Sequence, residues 1–323
     1  MHILIVNHSA IPVFAYGGTE RVIWDLGRAL VRAGHRVSYL VPEDSHCDFA
    51  DVLTLQKNMP WEAQIPAGVD VAHFQFNPNV PLNFPHVVTQ HGNSSESVPL
   101  PRNTVFVSKN HAQRHGSDAF VYNGLDWKTY GPVNWQRART HFHFLGKAAW
   151  RVKNVQGAIE IARAAHVPLE VLGGDRINLK RGFRFTLSRH VKFHGMVGGD
   201  KKIQLLNASR GLIFPTLWHE PFGLAVIESL YFGAPVFATP YGALPEIVTS
   251  ECGVLSSTRA TLAEAVSCKQ FDLKACHERA LVFNSDTMAS DYLSVYKKIL
   301  DGESLNPASP VLQGDIKHLP WTR

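Results

Sequence analysis

With 323 residues, 45% hydrophobic and 18% charged, the chain has a globular composition and enough length for two domains that each bury a core. Its net charge of +5 suits an anionic ligand or weak attraction to acidic lipid, and the absence of any nucleic-acid motif argues against a nucleic-acid partner. No stretch approaches the ~20 apolar residues that span a bilayer, the N-terminal run lacks a signal peptide's basic region, and Cys47, Cys252, Cys268 and Cys276 lack metal-like spacing, so a cytoplasmic protein with reduced thiols is expected.

In the first half, residues 3–6 are an apolar run that reads as a strand. Residues 19–33 place Val22, Ile23, Leu26, Leu30 and Ala33 at helical spacing, and Gly34 ends the pattern. Strands are expected at 36–41, 69–76, 85–90 and 104–108, with a short helix over 110–115. Asn123-Gly124-Leu125-Asp126 is a turn signal, and the polar, unevenly patterned segment 126–139 reads as the linker.

A second alternating series follows. Strands are expected at 141–145, 169–172, 191–194, 211–214, 236–238 and 253–255. Helices are expected at 155–165, 201–208, 222–232, 261–268, 273–283 and 287–300. Repeated strand–helix alternation implies parallel sheets covered on both faces, with ligands taken at the carboxyl ends of the strands. The domains are therefore expected at 1–130 and 131–300, followed by an aperiodic tail over 301–323 that is disordered or laid over the surface.

The richest segment is His219-Glu220-Pro221-Phe222-Gly223-Leu224-Ala225-Val226-Ile227-Glu228, which follows a strand and opens a helix. Backbone N–H groups at a helix start have no intrahelical partner, and with the helix dipole they favour an anion. Glu220 lies just outside that start, and Glu228 is an isolated carboxylate on an otherwise apolar helix. A buried carboxylate is costly without a partner. Two carboxylates flanking an anion site fit a ligand with hydroxyls at both ends and phosphate between them. The plainer reading makes Glu220 an ordinary helix-start acid and Glu228 a paired core acid.

The stretch from Glu220 to Glu228 resembles the E-x7-E signature of retaining glycosyltransferases of family 4. The resemblance covers residues 1–300 and implies an α/β chain with the GT-B fold, in which two Rossmann-like parallel-sheet domains face a cleft. It implies transfer of a sugar from a nucleoside diphosphate donor to a hydroxyl acceptor. That acceptor is a glycan, a lipid-linked molecule or a small molecule. No cofactor and no metal are expected, and no acidic D-x-D motif is present. Localisation is expected to be cytoplasmic, with weak peripheral association at the inner membrane face. In the family, the last helix, here 287–300, packs back on the first domain.

The resemblance also implies roles for individual residues. Gly17 and Gly18 precede the first helix, where glycines let backbone approach phosphate closely; they match the family loop beside the donor diphosphate. Lys147, just after a strand-ending glycine, stands where the family has an arginine on the diphosphate, and it lacks arginine's planar fork. The second diphosphate cation is Arg151 or Lys153. His91, at a strand's carboxyl end before Gly92, matches a residue near the donor sugar. Gly195, Met196 and Val197 match a backbone segment that reads the base. The N–H groups of Phe222, Gly223 and Leu224 would stabilise the leaving diphosphate, Glu220 would orient sugar hydroxyls, and Glu228 would accept from the ribose. Two other readings compete: a nucleotide-sugar epimerase of the same fold, and a non-catalytic nucleotide-sugar binding protein.

Overall fold

The computed structural model describes residues 1–12, 18–94, 98–178, 184–314 and 319–322. The elements of the first half are β1 (His2–Val6), α1 (Gly18–Arg32), β2 (Arg36–Val41), β3 (Asp51–Thr54), β4 (Val71–Phe74), β5 (His86–Gln90), β6 (Thr104–Phe106) and α2 (Lys109–Gln113). Next come β7 (His141–Leu145), α3 (Val155–Ala164), β8 (Leu169–Leu172), β9 (Ile177–Asn178), β10 (Arg184–Phe185), β11 (Val191–Phe193), α4 (Gly199–Asn207) and β12 (Ser209–Phe214). The chain closes with α5 (Leu224–Tyr231), β13 (Val236–Ala238), α6 (Leu244–Ile247), β14 (Gly253–Leu255), α7 (Arg259–Cys268), α8 (Leu273–Leu281) and α9 (Ser285–Leu300).

These elements form two compact units. The first comprises Met1–Trp127 and Phe283–Gly314; the second comprises Lys128–Val282 with the described residues 319–322. The passage between them at Trp127–Lys128 falls inside the polar 126–139 segment.

In the first unit a six-stranded parallel sheet runs β3-β2-β1-β4-β5-β6. Its strands are short apolar runs; β1 is buried along its whole length, as a central parallel strand must be. Leu4, Val6, Leu40, Ala72, Phe74 and Val88 pack as one cluster, against which Trp61, Phe76 and Phe84 close. Helix α9 packs on α1 and β5. Its Tyr296 hydroxyl meets His73 at 2.7 Å, and its Tyr292 hydroxyl meets Thr89 Oγ1 at 2.8 Å. His73 also bonds Thr89 Oγ1 at 2.7 Å, and burial lowers its pKa to about 3, so the ring is neutral. Arg32 ties α1 to α9 through Asp286 (2.5 Å) and also holds Asp126 (2.7 Å). Residues 301–314 lie along this unit, where Asn306 is buried and donates to the carbonyls of Arg102 and Thr104.

In the second unit the six-stranded parallel sheet runs β11-β8-β7-β12-β13-β14. His143, in the middle of β7, is fully buried between Ser209 Oγ (2.6 Å) and Ser229 Oγ (2.8 Å), and burial lowers its pKa to about 3. A small antiparallel pair, β9–β10, follows β8.

Several details depart from the sequence reading, among them helix α6, which lies where no helix was expected. Helix α5 begins at Leu224, not at 222, because Gly223 takes the left-handed φ of +113° and leaves Phe222 outside the helix. Strand β3 adds an edge to the first sheet where no strand was expected; its residues are only partly buried. The β9–β10 pair was also unforeseen, since two-residue strands carry no period.

Candidate donor site

The second unit gathers the chemistry-bearing residues at the carboxyl ends of its strands. After β7 the chain passes through Gly146, Lys147 and Trp150 into a 3-10 turn at Arg151–Lys153. The loops after β7, β8 and β11 lock through backbone bonds. Ala148 N–H donates to Gly173 O (2.9 Å), Gly173 N–H to Gly195 O (2.7 Å), and Gly195 N–H to Gly174 O (3.2 Å). A Cβ at Gly173 would lie 2.2 Å from Gly146 O, so only glycine allows this approach. Gly195 is thus fixed by neighbouring strands, Val197 is half-buried beside it, and Met196 is exposed.

The segment after β12 is held just as tightly. Leu217 N–H donates to Val152 O (2.6 Å), Thr216 Oγ1 donates to the same carbonyl (3.1 Å), and Thr239 Oγ1 donates to Thr216 O (2.6 Å). Ala243 N–H donates to Glu220 O at 2.9 Å. Gly242 has φ +65°, and a Cβ there would come 2.2 Å from Glu220 O. The backbone of Glu220 is therefore built into the fold, and its side chain is aimed by a rigid support.

That carboxylate is partnered. Lys153 Nζ lies 2.6 Å from Glu220 Oε2, and Trp218 Nε1 donates to the same oxygen at 2.7 Å. Lys153 also sits over the Trp218 ring, 4.5 Å from its centroid, and 5.4 Å from that of Phe214. Lys147 Nζ is 5.1 Å from the Trp150 ring centroid, and the Trp150 and Trp218 rings meet edge to face at 6.1 Å. Arg151 is exposed on the 3-10 turn. The Glu220 carboxylate, already favoured beside a helix start, is thus held by a lysine that the sequence reading offered as one of two candidates for the second diphosphate cation.

Glu228 lies on α5, 4% exposed. Its Oε1 accepts from Lys202 Nζ of α4 at 2.6 Å and from the Tyr130 hydroxyl at 2.7 Å. Neither partner was singled out in the sequence. Lys202 belongs to an amphipathic helix where one lysine looks like another, and Tyr130 lies in the polar 126–139 segment. Between the two acids, α5 begins without a side-chain cap, so its first N–H groups offer donors to an anion. Leu224 opens the helix, Gly223 caps it and Phe222 is buried just before it.

The first unit carries the remaining candidates. Gly17 lies outside the described residues; Gly18 is the exposed first residue of α1. His91 follows β5, is half-buried, and bonds Gln75 Oε1 at 2.8 Å. Burial lowers its pKa to about 4, so it is neutral at physiological pH. Sequence reading missed its neighbours. Gln75 Nε2 and both ring nitrogens of buried His111 have no hydrogen-bond partner among the described residues, and Arg114 donates to Asn93 Oδ1 at 2.9 Å. The one sequence signal of His111 is its place three residues after Ser108, the serine that caps α2. Among the described residues, no group of three or more His, Cys, Asp or Glu is placed to hold a metal ion, and no helix is long and apolar enough to cross a membrane.

Residues 139–268 match the family model Glycosyl transferases group 1. A comparison with curated protein sequences gives no match. Solved structures match along almost the whole chain. AviGT4, a glycosyltransferase involved in avilamycin A biosynthesis, superposes with a TM-score of 0.74 at 18% identity, covering 94% of this chain and 99% of its own. Sucrose-phosphate synthase from Thermosynechococcus elongatus gives 0.68 at 19% identity, covering 94% and 100%. HepE from Anabaena, in complex with UDP and glucose, gives 0.64 at 15% identity, covering 92% and 100%. These likenesses establish the two-sheet architecture as the GT-B fold. The group 1 match over the second sheet, carried on that fold, supports a glycosyltransferase, an enzyme of the EC 2.4 class.

Proposed function

We propose that this chain is a retaining, metal-independent glycosyltransferase that moves a sugar from a nucleoside diphosphate donor to a hydroxyl acceptor. One observation carries the reading. The carboxyl edge of the second sheet places two buried, cation-paired glutamates either side of an uncapped helix start. Hydroxyl-reading acids on both sides of a phosphate-sized donor set fit a sugar, a diphosphate and a ribose in that order.

In this reading Glu220 receives sugar hydroxyls and Glu228 accepts from the ribose. Lys147, with Arg151 or Lys153, and the N–H groups of Phe222, Gly223 and Leu224 stabilise charge that grows on the leaving diphosphate. The backbone at Gly195, Met196 and Val197 reads the base. From the first unit, Gly18 at the start of α1 would offer a backbone donor to an anion and neutral His91 a hydrogen-bonding group to a hydroxyl. The acceptor attacks on the face the diphosphate leaves and passes its proton to that diphosphate, so no separate base is needed. The protein works in the cytoplasm without a cofactor, and its net positive charge permits weak attraction to an acidic membrane face.

The test is a thermal-shift panel of UDP, GDP, ADP and CMP with their sugar conjugates, starting with UDP because HepE was solved with it. One diphosphate nucleotide and its sugar conjugate should stabilise the protein. The anomeric configuration of the product, read by NMR, should equal that of the donor. Inversion would remove the retaining mechanism; epimerised donor formed without acceptor would convert the assignment to an epimerase. Stabilisation without transfer or donor hydrolysis would leave a binding protein.

A further inference from the structure

We infer that Trp218 is a positioning residue for the Glu220 carboxylate and thereby sets which sugar hydroxyl the site accepts. The inference rests on the donor-site reading above and names a residue that reading does not use. Three observations bear on it. Trp218 Nε1 and Lys153 Nζ converge on one oxygen, Oε2, at 2.7 and 2.6 Å. The same indole offers its face to that lysine at 4.5 Å and meets Trp150 edge to face, so the ring is held on two sides. The backbone on either flank is fixed, by Leu217 N–H to Val152 O and by Ala243 N–H to Glu220 O.

A carboxylate held by one lysine can swing about its terminal torsion, because an ammonium is a compact charge with three equivalent donors. An indole N–H is a single donor fixed in the plane of its ring. Adding it to the lysine fixes the plane of the carboxylate. With Oε2 occupied twice, Oε1 is the acceptor the carboxylate presents to a ligand. One oxygen at one orientation reads one hydroxyl configuration, and a site built to bond a hydroxyl rejects a ligand that presents it wrongly. Trp218 is two residues before Glu220, so it moves with the same loop and keeps this geometry through any shift of that loop.

The experiment has two arms. In the first, the protein is labelled with 15N-tryptophan and the indole resonances are recorded; Trp218→Phe assigns its signal. An indole bonded to a carboxylate is shifted downfield and protected from exchange, and Glu220→Gln should move that signal while the other indoles stay. A Trp218 signal indifferent to Glu220→Gln overturns the inference, whatever the donor panel shows. In the second arm, Trp218→Phe, which keeps an aromatic face for Lys153 and removes the N–H together with part of the indole, is assayed with the donor found by the panel and its epimer at one ring hydroxyl. Its kcat/KM should fall about tenfold, chiefly in kcat, and preference for the better epimer should shrink, while affinity for the bare diphosphate nucleotide stays within about twofold. Wild-type kcat and epimer preference in Trp218→Phe would reduce Trp218 to packing. A panel in which no nucleotide sugar binds would remove the donor-site reading and this role together, whereas the first arm fails on its own terms.

Discussion

The two units are built on one plan and use it differently. Each has a six-stranded parallel sheet in which the third, second and first strands are followed by the fourth, fifth and sixth. Each buries one neutral histidine between two hydroxyl groups: His73 between Tyr296 and Thr89, and His143 between Ser209 and Ser229. The units part at the carboxyl ends of their strands. The second unit places the ion pairs Glu220–Lys153 and Glu228–Lys202 there, both largely buried. The first places neutral His91 on Gln75 there, and keeps Arg32 with Asp126 and Asp286 at the joint of α1 and α9. Apolar strands and a neutral histidine network are common to both units, and both also bury charge: the second in its two Glu–Lys pairs, the first at Asp126, which is paired with Arg32. Burying a pair costs desolvation that its attraction recovers only with good geometry, so the two pairs of the second unit mark that edge as a candidate site.

The comparison breaks most sharply at Glu228. Removing one partner of a buried pair leaves an uncompensated charge, so Glu228→Ala should cost about 3 kcal/mol in urea unfolding and weaken nucleotide affinity by at least about tenfold. The double variant Glu228→Leu with Lys202→Met should recover most of the stability and none of the affinity. Recovery of both would make the pair purely structural.

Glu220→Gln comes next. It should lower turnover about 100-fold while the bare diphosphate nucleotide binds as before, checked by steady-state kinetics and calorimetry. Loss of bare-nucleotide binding in a folded variant would move Glu220 off the sugar.

His73 and His143 predict equal contributions to acid destabilisation from their two networks. Each folded pKa is lowered from 6.5 to about 3 by burial. The unfolded chain therefore binds a proton that the folded chain refuses. Stability is complete above pH 6.5 and is lost as pH falls toward 3, by about 2 kcal/mol per histidine at pH 5. His73→Gln and His143→Gln keep hydrogen-bonding groups without titrating, and each should reduce the loss between pH 7 and 5 in urea melts by that amount.

Smaller effects separate the cations. Lys147→Ala should cut turnover about tenfold, more than Arg151→Ala, and Lys147→Arg should keep substantial activity. Lys153→Ala should match Lys147→Ala if Lys153 serves the diphosphate, and match Glu220→Gln if it serves the carboxylate. Wild-type turnover in both lysine variants would place the diphosphate elsewhere. The smallest expected effect is that of EDTA, which should leave activity unchanged; loss restored by magnesium or manganese would overturn metal independence.

Most strands and helices were legible because parallel strands buried on both faces are written as continuous apolar runs, as at 3–6, 212–214 and 236–238. Strand β3 escaped because an edge strand with two apolar residues needs no such run. The start of α5 was misplaced because Phe222 is apolar and buried like a helix residue, while the break lies in the backbone angle of Gly223. The sequence offered His91 as a candidate from its place after a strand, Glu220 from its place before a helix and Glu228 as an isolated acid on an apolar helix. His111, Gln75 and Trp218 were not, since each resembles an ordinary core or loop residue until its neighbours are known.

By itself, the sequence determined the strand–helix alternation, the helix that carries Glu228 and the loop that carries Glu220, because periodicity and turn chemistry act over a few residues. Only the tertiary structure decided the partners of those acids. Lys153 and Glu220 are 67 residues apart, Tyr130 and Glu228 are 98 apart, and Lys202 is 26 residues from Glu228. Such pairs form when strand order brings loop ends together, and a buried carboxylate takes whichever donor the packed sheet delivers to it.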